Sequence, residues 1–348
     1  MDGVPAVDRD TANRIMLDRH QDTLTQRRED LQRQIRALVD DDTATVAQVE
    51  RLRGQLHEVD TKLARLDLNE RKLTSLGDRG LLLGIDPAGD GRVIISVGNP
   101  DTARHTAVWV PGLGTDLGST DGNVNRVLNL QREADKATRG VDGDVATIMW
   151  LGYDAPETDG SVVTSTRSRQ GAAALDSFVN GLRATHGGGD YHLTAVGHSY
   201  GSTVVAEAAL GGEQPGNPRG LAVDDIVTAG SPGMHTSSAS DLNIDAQHVW
   251  AGSAENDLVA NFANVPAATV RYVSPLAAAG IEGIDMVHGA SPHEPSFGAN
   301  QYVVDTSGHS DYWEYDENGE ATESLRNQAK VVAGRYDEVG LEHEASWE

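Results

Sequence analysis

The chain has 348 residues, 53 of them acidic and 28 basic, for a formal net charge of −25. An acidic surface of this kind argues against a nucleic-acid partner and against docking on anionic lipid through a basic patch. There is no cysteine, which excludes disulfides, thiolate zinc sites and a cysteine nucleophile.

The length accommodates one large α/β domain plus an accessory element. No basic n-region with an apolar h-region opens the sequence, and no run of about 18 apolar residues occurs. The expectation is a protein without a transmembrane segment, cytoplasmic or secreted without a Sec leader.

Residues 10–77 are rich in Leu, Arg, Gln, Glu and Asp, with few glycines and no proline. Leu24, Leu31, Ile35 and Leu38 fall near helical spacing, and Asp40-Asp41-Asp42-Thr43 offers a turn and an N-cap. Val46, Val49, Leu52, Leu56, Val59, Leu63 and Leu66 continue in steps of three and four. This pattern predicts an antiparallel helical hairpin, and residues 1–78 are taken as one domain. Each arm has an apolar stripe that must be covered. The hairpin is either a structural element or an arm that binds a protein partner.

From residue 80, short apolar runs punctuated by glycine and proline take over, and residues 79–348 read as the catalytic domain. Leu81–Ile85 and Arg92–Val97 flank a turn at Asp86–Gly91, a strand pair. Thr106–Val110 and Ala146–Leu151 read as buried strands, and a helix is expected around 167–184. His192–Val196, Asp225–Gly230, Gln247–Gly252 and Val270–Val273 continue the strands, with Tyr302–Asp305 as the last. A helix near 320–337 closes the fold, and the final residues read as frayed. Strands alternating with helices predict a doubly wound, mostly parallel α/β sheet whose active site lies at the carboxyl ends of the strands.

Gly197-His198-Ser199-Tyr200-Gly201 directly follows one predicted strand and precedes the helical run Ser202–Leu210. A serine at the apex of a strand–turn–helix is the context of a nucleophile elbow. The flanking glycines suit it, because side chains there would collide with strand or helix. A plain glycine-rich turn is the alternative. A serine hydroxyl needs a base, and the base needs an acid to orient it. In this type of sheet the order is Ser, acid, His. Asp225, Asp241, Asp245 and Asp257 are the aspartates nearest strand ends. Asp225 starts a strand, at the wrong end of the sheet. Asp257 follows the Trp250 strand and is the chosen acid, with Glu255 its nearest competitor. Among His288, His293 and His309, the last follows the final predicted strand and is the chosen base. His288 and His293 lie in a Gly- and Pro-rich stretch, Val287–Ala299, that reads as an insertion.

Two donors must meet the developing oxyanion. The amide of Tyr200 is one candidate. The loop Pro111–Thr115 supplies the other, with Leu113 preferred and Gly114 close behind. Neither a dinucleotide fingerprint nor a phosphate loop is present, and neither calcium-loop nor zinc spacing occurs, so no cofactor or metal is expected.

With these residues assembled, the chain resembles the actinobacterial α/β-hydrolase family catalogued as domain of unknown function 1023. The matching stretches are Gly3–Arg14, Gly98–Ala103, Val110–Gly112, Trp150–Pro156, Gly197–Ser202, Gly230–Gly233 and Gly308–Ser310, of which those around Trp150 and Ser199 are distinctive. The resemblance implies an α/β-hydrolase fold with a serine triad, carried here onto Ser199, Asp257 and His309. A proline is expected after the acid, and Leu258 stands there instead. The expected function is hydrolysis of a small-molecule or lipid carboxylic ester, esterase- or lipase-like, through an acyl-enzyme. Transfer of the acyl group to another acceptor is the enzymatic alternative, as is lipid hydrolysis under a lid at Ile281–Asn300. A partner-bound or secreted protein whose hairpin is the functional part is the alternative of another class.

Overall fold

A computed structural model describes residues 2–40, 45–138, 144–157, 166–211, 220–257, 259–260 and 289–343. Nine strands form one sheet in the order β1-β2-β4-β3-β5-β6-β7-β8-β9. They are β1 (Gly80–Asp86), β2 (Arg92–Val97), β3 (His105–Val110), β4 (Val145–Leu151), β5 (His192–His198), β6 (Asp225–Ala229), β7 (Val249–Gly252), β8 (Asn300–Tyr302) and β9 (Leu341–His343). The six strands from β4 through β8 pair in parallel, while β1, β2 and β9 are antiparallel. Every residue of β4 and β6 is buried. Parallel strands are covered on both faces, so they read as continuous rather than alternating apolar runs.

The helices are α1 (Ala6–Val39), α2 (Val46–Leu76), α3 (Thr120–Ala137), α4 (Thr166–Thr185), α5 (Tyr200–Leu210) and α6 (Glu323–Val332). α5 and α6 both cover β3, β5 and β6 without packing on each other, which puts them on opposite faces. α4 joins α5, and α3 joins α6. The molecule is an α/β-hydrolase sheet with an N-terminal helical hairpin. Among the described residues, no helix is long and apolar enough to cross a membrane.

α1 and α2 form that hairpin, and α1 alone is about 50 Å long at 1.5 Å per residue. Leu31, Leu52, Val59 and Leu63 form its own small core. Lower down, Leu17, Leu66 and Leu73 join the main core, and each buried leucine contributes about 1.5–3 kcal/mol. The cap of α2 is Thr45. Its hydroxyl accepts from Gln48 N at 3.3 Å while Gln48 Oε1 accepts from Thr45 N at 2.8 Å, a reciprocal capping box. The expected cap lay earlier, and Asp41–Thr43 fall outside the described residues.

α1 also covers the outer edge of β1. Arg9 Nη2 donates to Leu83 O at 2.7 Å, Asn13 Nδ2 to Leu82 O at 2.9 Å and Arg14 Nη2 to Gly80 O at 2.8 Å. Leu82 N donates to Asp10 Oδ1 at 2.6 Å. Polar side chains of a helix thus satisfy the backbone groups that an edge strand leaves open.

At the other edge the sequence reading needs correction. The final strand is β9, antiparallel to β8, in a stretch read as frayed; β8 itself starts at Asn300 rather than Tyr302. The strand expected at Val270–Val273 lies outside the described residues.

Candidate active site

The parallel register brings the carboxyl ends of β3, β5, β6 and β7 to one rim. Val110 pairs with Gly197, His198 with Ala229, and Ala229 with Gly252. Ser199 stands between β5 and α5 with φ 53° and ψ −131°, a region that side-chain-bearing residues rarely enter. The turn is tight enough to dictate its neighbours. A Cβ on Gly197 would lie 2.5 Å from Ser202 Cα, and one on Gly201 would lie 2.1 Å from Val110 O. Ser199 N donates to Ala229 O at 3.0 Å, which ties the elbow to β6. The side chain is largely buried, with 6% of the residue exposed.

The loop after β3 lies directly over the serine. A Cβ on Gly112 would fall 3.0 Å from Ser199 Oγ. Three hydrogen bonds hold this loop: Tyr153 OH to Pro111 O at 2.7 Å, Thr115 Oγ1 to Gly112 O at 2.8 Å, and Gly114 N to Pro156 O at 2.9 Å. The last engages the Gly114 amide. Leu113 N finds no acceptor among the described residues.

Asp257 follows β7 and is completely buried. Its carboxylate lies 2.9 Å from His309 Nδ1 at both oxygens. Oδ1 also accepts from Val259 N at 2.9 Å and Ala260 N at 3.3 Å. Oδ2 accepts from Tyr312 OH at 2.5 Å. Burial pushes this carboxyl up, but hydrogen bonds from His309 and Tyr312 and the charge of His309 outweigh it. Asp257 is held below the usual carboxylate range. A carboxylate on Nδ1 leaves Nε2 of His309 as the ring nitrogen for other work.

His198, the residue before the serine, packs against His309 with ring centroids 5.0 Å apart. Its Nε2 lies 2.7 Å from His309 O, so Nε2 carries the proton. Trp109 stacks on His198 at 5.9 Å, and Trp313 meets it edge-on at 5.1 Å. Burial pushes its pKa down to about 3, so it stays neutral and acts as a fixed donor.

The competing residues are placed elsewhere. Glu255, Asp241 and Asp245 are exposed. His293 is half-buried, and burial lowers its pKa, but the ring against Asp257 is that of His309. His288 and Leu258 lie outside the described residues. Asp225 lies at the amino end of β6, at the opposite rim. There its carboxylate receives His192 Nε2 at 2.6 Å, Tyr336 OH at 2.6 Å, Trp250 Nε1 at 2.8 Å and His248 Nδ1 at 2.9 Å. Among the described residues, no group of three or more His, Asp or Glu side chains is arranged to hold a metal ion.

Three contributors escaped the sequence reading. His198 sits inside the pentapeptide without an assigned role, and Tyr312 lies just past the Gly308–Ser310 stretch. Gly230 enters that reading only as the end of a predicted strand and within the Gly230–Gly233 stretch. A Cβ there would lie 2.6 Å from Asp257 Oδ2 and 3.1 Å from His309 Nδ1, so this glycine makes room for the acid–base pair.

The family described as alpha/beta hydrolase matches residues 86–267, over half of the chain. An uncharacterized protein of Mycobacterium tuberculosis is 32% identical across 97% of this chain and 52% of its own length. An uncharacterized protein of Mycobacterium bovis is 36% identical across 60% of this chain and 78% of its own. The chain thus spans about half the length of the first of these relatives. Among solved structures, an esterase from Rhizomucor miehei is 12% identical with a TM-score of 0.41, covering 74% of this chain and 83% of that one. Esterase B from Lactobacillus rhamnosis is 10% identical with a TM-score of 0.38, covering 81% and 96%.

Proposed function

This chain belongs to the alpha/beta hydrolase family, and we propose that it is a serine hydrolase cleaving carboxylic esters through an acyl-enzyme. Residues 79–348 are its catalytic domain and residues 1–78 its helical accessory. Within the family we place it in the actinobacterial branch catalogued as domain of unknown function 1023, on the Trp150–Pro156 and Gly197–Ser202 stretches.

One observation carries the reading. A histidine on the rim of the elbow serine has Nδ1 bonded to a buried carboxylate. In the proposed reaction Ser199 Oγ bonds to the ester carbonyl carbon as His309 Nε2 takes its proton. Amides of Tyr200 and Leu113 meet the oxyanion, where one such donor contributes about 3–4 kcal/mol. His309 returns the proton to the departing alcohol, then takes one from the water that attacks the acyl group and gives it to Ser199 Oγ as the acid leaves. Asp257 holds the ring and stabilises the imidazolium.

Ser199→Ala assayed on short acyl esters tests this. The variant should lose at least about 10³-fold in kcat while its melting temperature holds. A variant as active as wild type, on an ester that wild type cleaves well, refutes it.

A further inference from the structure

Tyr312 is fully buried and lies three residues beyond His309 on the loop after β8. Among the described residues its hydroxyl has two partners, with fixed senses. Ala254 N donates to it at 3.0 Å, and it donates its own proton to Asp257 Oδ2 at 2.5 Å. The amide can only give, so the phenol proton has one acceptor. Ala254 precedes Asp257 in the same turn, and Asp257 N closes that turn on Ala254 O at 3.0 Å. The loop that carries the base therefore also braces the acid's carboxylate and its backbone.

We propose that Tyr312 is a positioning residue for the reaction: it fixes the rotamer of Asp257 and tempers the basicity that Asp257 confers on His309. This rests on the Ser199–His309–Asp257 reading. Without the phenol, Oδ2 keeps only His309 among the described residues and turns more strongly basic. It would then stabilise the imidazolium further and would be freer to rotate. Burial together with the charge of Asp257 raises the Tyr312 hydroxyl far above its ordinary value, so it remains a donor throughout the working range. Among the described residues, His198 at the end of β5 and His293 ahead of β8 also face the pair, Tyr302 of β8 lies beside Tyr312, and Arg126 of α3, which faces Asp311 and Glu314, acts on His198.

The test compares wild type, Tyr312→Phe and Ser199→Ala as full chains. Three quantities are read: kcat/KM per fluorophosphonate-titrated site, the acid limb of its pH profile, and the low-field proton resonance of His309 Nδ1–H without substrate. Tyr312→Phe should lower the per-site rate about tenfold, raise the acid limb by about half a pH unit and shift the resonance. A purely structural tyrosine would lower the melting temperature and the titratable fraction, leaving limb and resonance in place; that result overturns the proposal. If Ser199→Ala retains activity, the triad reading fails and the proposal with it. If Ser199→Ala is inert and Tyr312→Phe matches wild type in all three, the proposal alone falls. Should Tyr312→Phe not fold, fluorotyrosine at position 312 keeps the shape with a stronger donor and should lower the limb; an unmoved limb overturns the proposal equally.

Discussion

His198 occupies the first variable position of the Gly-x-Ser-x-Gly pentapeptide and is held neutral by burial, its pKa pushed down to about 3. In an unfolded chain the same ring titrates near about 6.5. Between those values the unfolded state binds the proton first. The share of stability that His198 governs is therefore complete above about pH 6.5 and falls by about 1.4 kcal/mol per pH unit below it. His198→Gln removes the titration. Urea unfolding from pH 4.5 to 7 should then show a flatter slope than wild type; parallel slopes would contradict this account. Gly230 has φ 63° and faces the acid–base pair, so a methyl there must displace Asp257 or His309. Gly230→Ala should fold, by circular dichroism, yet lose about 10²-fold in kcat/KM. Unchanged kinetics would show that the pair tolerates the shift. Ser199, Asp257 and His309 stand out in the sequence because each follows a predicted strand in an order the topology imposes. Tyr312 does not, since which carboxylate its phenol meets depends on how two loops fold against each other.

At the scale of elements, α1 and the edge strand β1 form one unit. Arg9 is 5% exposed, lies over the Phe178 ring at 5.1 Å and donates twice to Leu83 O. Arg9→Ala should destabilise the protein by about 2–3 kcal/mol, read from urea midpoints at constant slope. A loss under about 0.5 kcal/mol would mean that β1 needs no cover. Periodicity made the helices legible, but the polar residues that bind β1 look in sequence like a solvated face. The opposite rim gives the second prediction. Burial lowers His192, but its bond to Asp225 outweighs that and raises it; the Asp225 bond likewise raises His248. A raised histidine contributes stability fully below its unfolded pKa, near about 6.5, and loses it as pH climbs through the folded value. Asp225 is lowered, so its share persists above about pH 3.9 and fades only under stronger acid. His192→Gln should therefore narrow the stability difference between pH 6 and pH 9; an unchanged difference would remove His192 as its source. Strand order alone places Asp225 at the wrong end for catalysis, while its four partners come from three separated segments and have no sequence signature.

Across the whole molecule, the sheet, the elbow and the closing helix are legible because strand runs, glycine punctuation and helical periodicity agree with one another. The terminal strand β9 is not, being three residues long and mostly exposed, with too little apolar character to announce itself. The hairpin divides in two. Its lower half packs on the main core and on β1, and its upper half packs on itself. Replacing residues 25–60 by a short loop should leave a folded chain with esterase activity, whereas removing residues 1–78 should give insoluble protein. An active, soluble chain lacking residues 1–78 would show the hairpin to be a separate arm. The central claim is that Ser199 is the nucleophile that Asp257 and His309 activate. Mass spectrometry of the protein treated with a fluorophosphonate tests it most directly. The expected result is a single adduct mapped to Ser199, formed at least about tenfold more slowly in His309→Ala and Asp257→Asn. No adduct on folded wild type, or an adduct on another serine with Ser199 unmodified, would contradict it.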